Sequence, residues 1–210
     1  MTAGCRATRA KSAESPAWDE RGPTVLTQGT LTGNSGAMTR DELTKRISEV
    51  SLLRGEFTLR SGRKSNYYLD KYLFETQPDI LIELGALFAQ KVGANVDRIA
   101  GAELGAVALA AATAMACGKP FVIIRNQKKD YGTSKLVEGT LKRGERVLIV
   151  EDVLTTGGQV LEAAKSLEEA GATVDRIISV IDRLEGARAN IEAAGYAFDS
   201  LFTTKDLGVS

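Results

Sequence analysis

The chain has 210 residues, 43% of them hydrophobic and 26% charged, the balance of a globular protein able to bury its own core. Lysine plus arginine equals aspartate plus glutamate at 27 each, so no global field draws the chain to nucleic acid or an acidic membrane, and neither partner is expected. Histidine is absent, which excludes a His triad, a His-ligated metal and a His general base; catalysis must rest on Lys, Arg, Asp, Glu, Tyr and backbone amides.

Residues 1–37 are rich in Gly, Ser, Thr and Ala without sustained periodicity, and a disordered N-terminal extension is expected there. They lack the apolar core of a secretory signal, so a cytoplasmic protein is expected, with Cys5 and Cys117 as free thiols. Residues 38–210 are expected to form one domain, a small hood mainly over 38–75 and a core over 76–210. Thr39 and Glu42 have the spacing of a capping box, and Leu43, Ile47, Val50 and Leu53 share a face, predicting a helix over 40–53. Phe57–Leu59 and Tyr67–Leu69 are short strand candidates around a polar turn.

A helix opening at Pro78 is predicted to run to Val92, then a strand over 98–101, a helix over 105–117 and a strand over 121–124. The apolar run Leu104–Cys117 is too short to cross a bilayer and reads as a buried helix. A polar segment over 125–135 precedes a strand at 146–150, a helix at 158–170, a strand at 174–181, a short helix near 186–194 and a strand at 197–202. These βα units predict an α/β fold: a mainly parallel sheet with helices on both faces and ligands at the carboxyl ends of its strands.

The chemistry concentrates in Arg146-Val-Leu-Ile-Val-Glu-Asp-Val-Leu-Thr-Thr-Gly-Gly-Gln159. A buried strand ends in two adjacent carboxylates, Glu151 and Asp152. Val153 and Leu154 lead into Thr155, Thr156, Gly157, Gly158 and Gln159, where a loop meets a helix N-terminus. Such a turn aims backbone amides and the positive end of the helix at one point, which suits a phosphate. No lysine follows the glycines, so this is not the loop that grips a nucleoside triphosphate. The carboxylates would repel a polyphosphate but accept hydrogen bonds from ribose hydroxyls, so a sugar monophosphate fits both halves. The competing reading is a helix capped by Thr155 or Thr156 beside solvated acids.

The segment resembles the phosphoribosyl pyrophosphate signature of the type I phosphoribosyltransferases. The resemblance implies that Glu151 and Asp152 hold the ribose hydroxyls and that residues 155–159 cradle the 5-phosphate. Gly55-Glu-Phe-Thr-Leu-Arg-Ser-Gly-Arg-Lys-Ser-Asn-Tyr-Tyr-Leu-Asp70 is similar to the hood of the orotate-using members. It implies that Tyr67, Tyr68 and Lys71 lie near the pyrimidine, although core packing accounts equally well for either tyrosine alone. Arg60 stands where many relatives have a substrate-touching lysine. Asp182-Arg183 ends another strand, and by resemblance Arg183 binds the orotate carboxylate, for which a planar guanidinium is apt. Thr155 is the matching hydrogen-bond candidate for orotate.

In the same family the stretch Arg125-Asn-Gln-Lys-Lys-Asp-Tyr-Gly132 is a lid that reaches the neighbouring subunit's site, implying a homodimer. By motif position Arg125 and Lys129 contact the pyrophosphate and are the catalytic candidates, with Lys128 and Tyr131 beside them. Asn126 takes the place of a common second lysine, and Tyr131 that of a common histidine. Gly101-Ala-Glu-Leu-Gly105 resembles the family's pyrophosphate loop, where backbone amides act; tight strand-to-helix packing explains its glycines nearly as well.

The implied reaction transfers the phosphoribosyl group of 5-phosphoribosyl 1-pyrophosphate to orotate, giving orotidine 5'-monophosphate and pyrophosphate in pyrimidine biosynthesis. Mg2+ would ride on substrate oxygens, so no dedicated protein metal cage is expected. Two other readings remain: a transferase for another base, and a non-catalytic sensor of phosphoribosyl pyrophosphate.

Overall fold

In the computed structural model, residues 37–58, 62, 64–126 and 136–209 are described. The chain opens with α1 (Arg40–Ser51), whose capping box is formed: Thr39 accepts from the Glu42 amide, and the Glu42 carboxylate accepts from Thr39 N–H at 2.8 Å. The helix stops two residues before the predicted end. Leu52 and Leu53 enter β1 (Leu52–Thr58) instead, because they pair with Leu69 and Tyr68 of β2 (Lys64–Leu69) in an antiparallel hairpin. The register slips between Arg54 and Phe57, a bulge that local patterning does not announce. A short α2 (Lys71–Glu75), absent from the sequence reading, is capped by Asp70, whose carboxylate accepts from Tyr72 N–H.

Then come α3 (Pro78–Gln90), β3 (Arg98–Ala102), α4 (Ala106–Cys117), β4 (Phe121–Ile124), β5 (Val137–Glu138), β6 (Arg146–Leu154), α5 (Gly158–Glu169), β7 (Thr173–Asp182), α6 (Ala187–Ala193) and β8 (Phe198–Thr203). Six strands form one sheet in the order β5-β4-β3-β6-β7-β8. All its neighbours are parallel except the edge pair β4–β5. The α/β reading of the sequence holds, with this antiparallel edge strand added. β6 is central and four residues longer than predicted, since its ladder with β7 continues to Leu154 opposite Asp182. Acids in a buried strand look like its end in composition, yet backbone pairing carries the strand past them.

Two apolar layers hold the helices to the sheet. On one face Leu43, Ile47, Phe74, Ile80, Leu84, Phe88 and Leu109 from α1 to α4 pack over Leu148, Val150, Ile178 and Val180. On the other, Val160, Ala163, Ala164 and Leu167 of α5 and Ile191 of α6 cover Val147, Ile149 and Ile177. The large side chains among these each contribute about 1.5–3 kcal/mol by leaving water. β3 turns into α4 tightly: a Cβ on Gly101 would overlap the Ala106 carbonyl oxygen and reach 2.9 Å from Ala110 Cβ. No helix among the described residues is long and apolar enough to cross a membrane. Cys117 is a free thiol among them, and Cys5 lies outside.

Candidate active site

The carboxyl ends of β3, β4, β6 and β7 meet at one edge of the sheet, where parallel order puts every strand-to-helix turn on the same side. After β6 the chain bends at Thr155 and Thr156, and Gly157 takes a left-handed conformation at φ 81° before α5 begins. A side chain at Gly157 would also press on Ile191, whose Cγ1 would lie 3.1 Å from a Cβ, so both conformation and space call for glycine. Gly157 is the N-cap of α5, and no side chain caps that end. Thus neither threonine caps the helix, and its first amides are open to an anion. The loop is fastened from behind by Asn190 of α6, whose amide donates to the Thr156 carbonyl at 2.9 Å. Nothing in the local sequence pointed to Asn190; only the approach of α6 brings it there.

The acids of β6 are buried, not solvated. Glu151 is pushed well above the usual carboxylate range by burial first and by the charge of Asp152 second. Asp152, 2% exposed, accepts an ion-paired hydrogen bond from Lys71 Nζ at 2.5 Å and, through its other oxygen, one from the Val153 amide. Burial opposes the charge on Lys71, but the carboxylate of Asp152 outweighs it and the ammonium titrates above its ordinary value. Lys71 therefore stands over the acid pair.

Gly105 is the N-cap of α4. A Cβ there would overlap the Asp152 carboxylate and approach Glu75 Oε1 to 3.1 Å, so the glycine leaves room for this carboxyl cluster. Glu103, Gly105, Asn126, Glu151, Asp152, Gln159 and Lys71 line one small cavity. Asn126 joins its walls: its amide N–H donates to Glu103 Oε1 at 2.8 Å, and its side chain donates to the Glu103 carbonyl at 2.9 Å. Arg125 N–H donates to the Leu136 carbonyl at 2.8 Å, next to Asn126 of this cavity. Lys128, Lys129, Tyr131 and Arg60 lie outside the described residues.

On the neighbouring strand, Arg183 follows the last residue of β7, its N–H donating to the Leu154 carbonyl at 2.9 Å. Buried Asp182 turns its carboxylate back to accept from Leu184 N–H at 2.8 Å, holding Leu184 in a left-handed conformation at φ 61°. The Arg183 guanidinium sits 6.0 Å from the centre of the Tyr67 ring and pairs with Glu185 at 3.0 Å, while its Nε is buried without a hydrogen-bond partner among the described residues. Strand alternation separates the tyrosines: Tyr67 is half-buried against the core, and Tyr68 is 45% exposed beside Phe57 at 5.7 Å. The hairpin thus brings Tyr67, and not Tyr68, to Arg183.

The phosphoribosyl transferase domain family matches residues 74–194 of this chain. Orotate phosphoribosyltransferase of Natronomonas pharaonis is 46% identical over 171 residues, 81% of this chain and 98% of that protein. The chain belongs to the orotate phosphoribosyltransferase family. The family's Mycobacterium tuberculosis H37Rv member, solved in complex with Fe(III) dicitrate, superposes with a TM-score of 0.74 at 32% identity, covering 81% of this chain and 99% of that one. A structure of the same protein in complex with 5-phospho-alpha-D-ribosyl 1-diphosphate gives a TM-score of 0.70 at the same identity and coverage.

Proposed function

We propose that the chain transfers the phosphoribosyl group of 5-phosphoribosyl 1-pyrophosphate to orotate, forming orotidine 5'-monophosphate and pyrophosphate in pyrimidine biosynthesis. The observation that carries this reading is the uncapped N-terminus of α5 directly after a buried acid pair, with Arg183 at the end of the adjacent strand. In it, the amides of 155–159 receive the 5-phosphate, Glu151 and Asp152 receive the ribose hydroxyls, and Arg183 with Thr155 receives orotate, its ring near Tyr67. Orotate N1 forms a bond to ribose C1 as the C1–O bond to pyrophosphate breaks, and the electron pair leaves with pyrophosphate. The protein contributes orientation and exclusion of water, because hydrolysis is the competing reaction.

Arg125 and Lys129 are assigned to the departing pyrophosphate by motif position, with Lys128 and Tyr131 nearby. The place of Arg125, next to Asn126 of the cavity, supports that assignment. Among the described residues no group of three or more Cys, Asp or Glu is placed to hold a metal by itself. Mg2+ would come bound to the substrate and not in a cage of protein ligands, and would supply charge neutralisation for the leaving group. A homodimer in the cytoplasm completes the proposal. Exposed Ile82 on α3 and Met115 on α4, two helices that pack together, support the dimer.

The test follows orotate by its ultraviolet absorbance with phosphoribosyl pyrophosphate and Mg2+, for wild type and Lys129→Ala. Magnesium-dependent loss of orotate, slowed on the order of 100-fold or more in the variant, is expected. No turnover of orotate while adenine, hypoxanthine or uracil is consumed would overturn the reading.

A further inference from the structure

One carboxyl group beside Asp152 has no role in the phosphoribosyl transfer proposed here. Glu75 ends α2 and is 3% exposed, and its Oε1 has no hydrogen-bond partner among the described residues. A buried polar atom without a partner is costly, and more so if charged. Glu75 lies against Asp152 and Gly105, among other charged groups. Lys71 and Asp70 come from its own helix and its cap and Asp152 from β6, while Glu151 acts on the same Lys71.

Asp152, Glu151 and Glu75 all act on the one Lys71 ammonium, and three charged carboxylates beside a single cation are strongly disfavoured. Asp152 is the one best supported as an anion: it holds the Lys71 ammonium, accepts from the Val153 amide and rests on the N-terminus of α4. The proton must then sit on its neighbours. We propose that Glu75 is a positioning residue for Asp152: as a neutral carboxylic acid it donates a hydrogen bond to the Asp152 carboxylate and fixes it, between Lys71 and Gly105, in the orientation that receives the ribose hydroxyls. The proton gives Glu75 the donor it otherwise lacks. It also prevents a second anion from pulling Lys71 off Asp152.

The electrostatics agree. Burial, and then the charge of Asp152, lift Glu75 to about 8, against a smaller downward pull from Lys71. Above that pH an ionised Glu75 repels Asp152 and competes for Lys71, so hold on the ribose should weaken. The sign for stability is the same. The folded-state value lies above the ordinary 4.5, so the folded form keeps a proton that the unfolded chain gives up. That contribution is whole below about pH 4.5 and is lost as pH rises through about 8.

The inference rests on reading Glu151 and Asp152 as the ribose site, and the experiment separates the two. KM for phosphoribosyl pyrophosphate and kcat are measured from pH 6 to 9.5 for wild type, Glu75→Gln and Glu75→Ala. In wild type KM should rise on the alkaline side with a midpoint near 8. In Glu75→Gln, whose amide donates at every pH, that rise should vanish, with KM at pH 7 within about threefold of wild type. Glu75→Ala should raise KM about tenfold at pH 7 and leave kcat within about threefold, the loss of one charge-assisted hydrogen bond. An alkaline rise of the same midpoint in Glu75→Gln would overturn the proposal, as would an unchanged KM in Glu75→Ala. Melting temperature against pH checks the ionisation without turnover: wild type should lose stability between about pH 5 and 9 relative to Glu75→Gln, and parallel curves would count against it. If orotate is not consumed at all, the transferase reading fails, and the melting shift given by phosphoribosyl pyrophosphate across the same pH range still decides the role of Glu75.

Discussion

Two partly buried ion pairs sit at opposite ends of the parallel sheet, and they are built to opposite rules. At the amino end Arg98, the first residue of β3, meets Glu145 just before β6 through two hydrogen bonds of 2.9 and 2.7 Å. Glu145 also accepts from the Lys142 amide at 2.8 Å, and chiefly the Arg98 hydrogen bonds lower its carboxyl to about 2. At the carboxyl end Lys71 must serve Asp152 with Glu75 and Glu151 crowded beside it, and both of those acids are driven upward. A pair with matched partners holds strands together. A cluster with more acids than cations holds polarity in reserve, which a hydroxyl-bearing ligand can satisfy. The amino end of the sheet thus carries a matched pair, and the carboxyl end an excess of acids over its one ammonium.

The sharpest way to break this contrast is Gly105→Ala. The new Cβ overlaps the Asp152 carboxylate, so kcat/KM should fall about 100-fold, far beyond any change in melting temperature. Activity within a fewfold of wild type would show that the carboxyl end tolerates displacement.

Glu145→Gln tests the other end. It leaves the Arg98 guanidinium, 8% exposed, without its anion, and should cost about 3 kcal/mol, or roughly 6–12 °C in melting temperature, with both KM values unchanged. The pH dependence should follow. Since the folded value of Glu145 lies below 4.5, its contribution is present above about pH 4.5 and is lost as pH falls through 2, and the variant should lack that acid-side decline. A variant as stable as wild type would reduce the pair to surface decoration.

The smallest effect is expected from Glu185→Gln. Glu185 holds Arg183 at 3.0 Å, where the proposed orotate carboxylate would compete, so KM for orotate should fall two- to threefold or so. A rise in that KM would mean that Glu185 aims the guanidinium and does not compete for it.

Much of the site was legible in the sequence because it is made of consecutive residues. Strand, acids, threonines, glycines and helix follow one another from Arg146 to Gln159, and a strand-loop-helix turn presents its own amides whatever surrounds it. The helix-capping competitor was resolved only by seeing Gly157 as N-cap without a side-chain cap. Arg183 was legible through the motif around it. Glu75 was not, since a glutamate in Tyr72-Leu-Phe-Glu-Thr76 reads as a solvated residue until α2 folds it against β6.

By itself, then, the sequence determined the βα succession, the capping of α1 by Thr39 and Glu42, and the glycine turn from β6 into α5, all set by interactions within about a dozen residues. Tertiary structure alone decided the rest. It ended α1 at Ser51 in favour of a strand, because Leu52 and Leu53 found partners in β2. It turned Tyr67 toward Arg183 and Tyr68 outward, because hairpin register fixes which face each side chain takes. And it brought Lys71 and Glu75 to Asp152, some eighty residues away, where burial and one shared ammonium fix each group's charge, a property that no local pattern encodes.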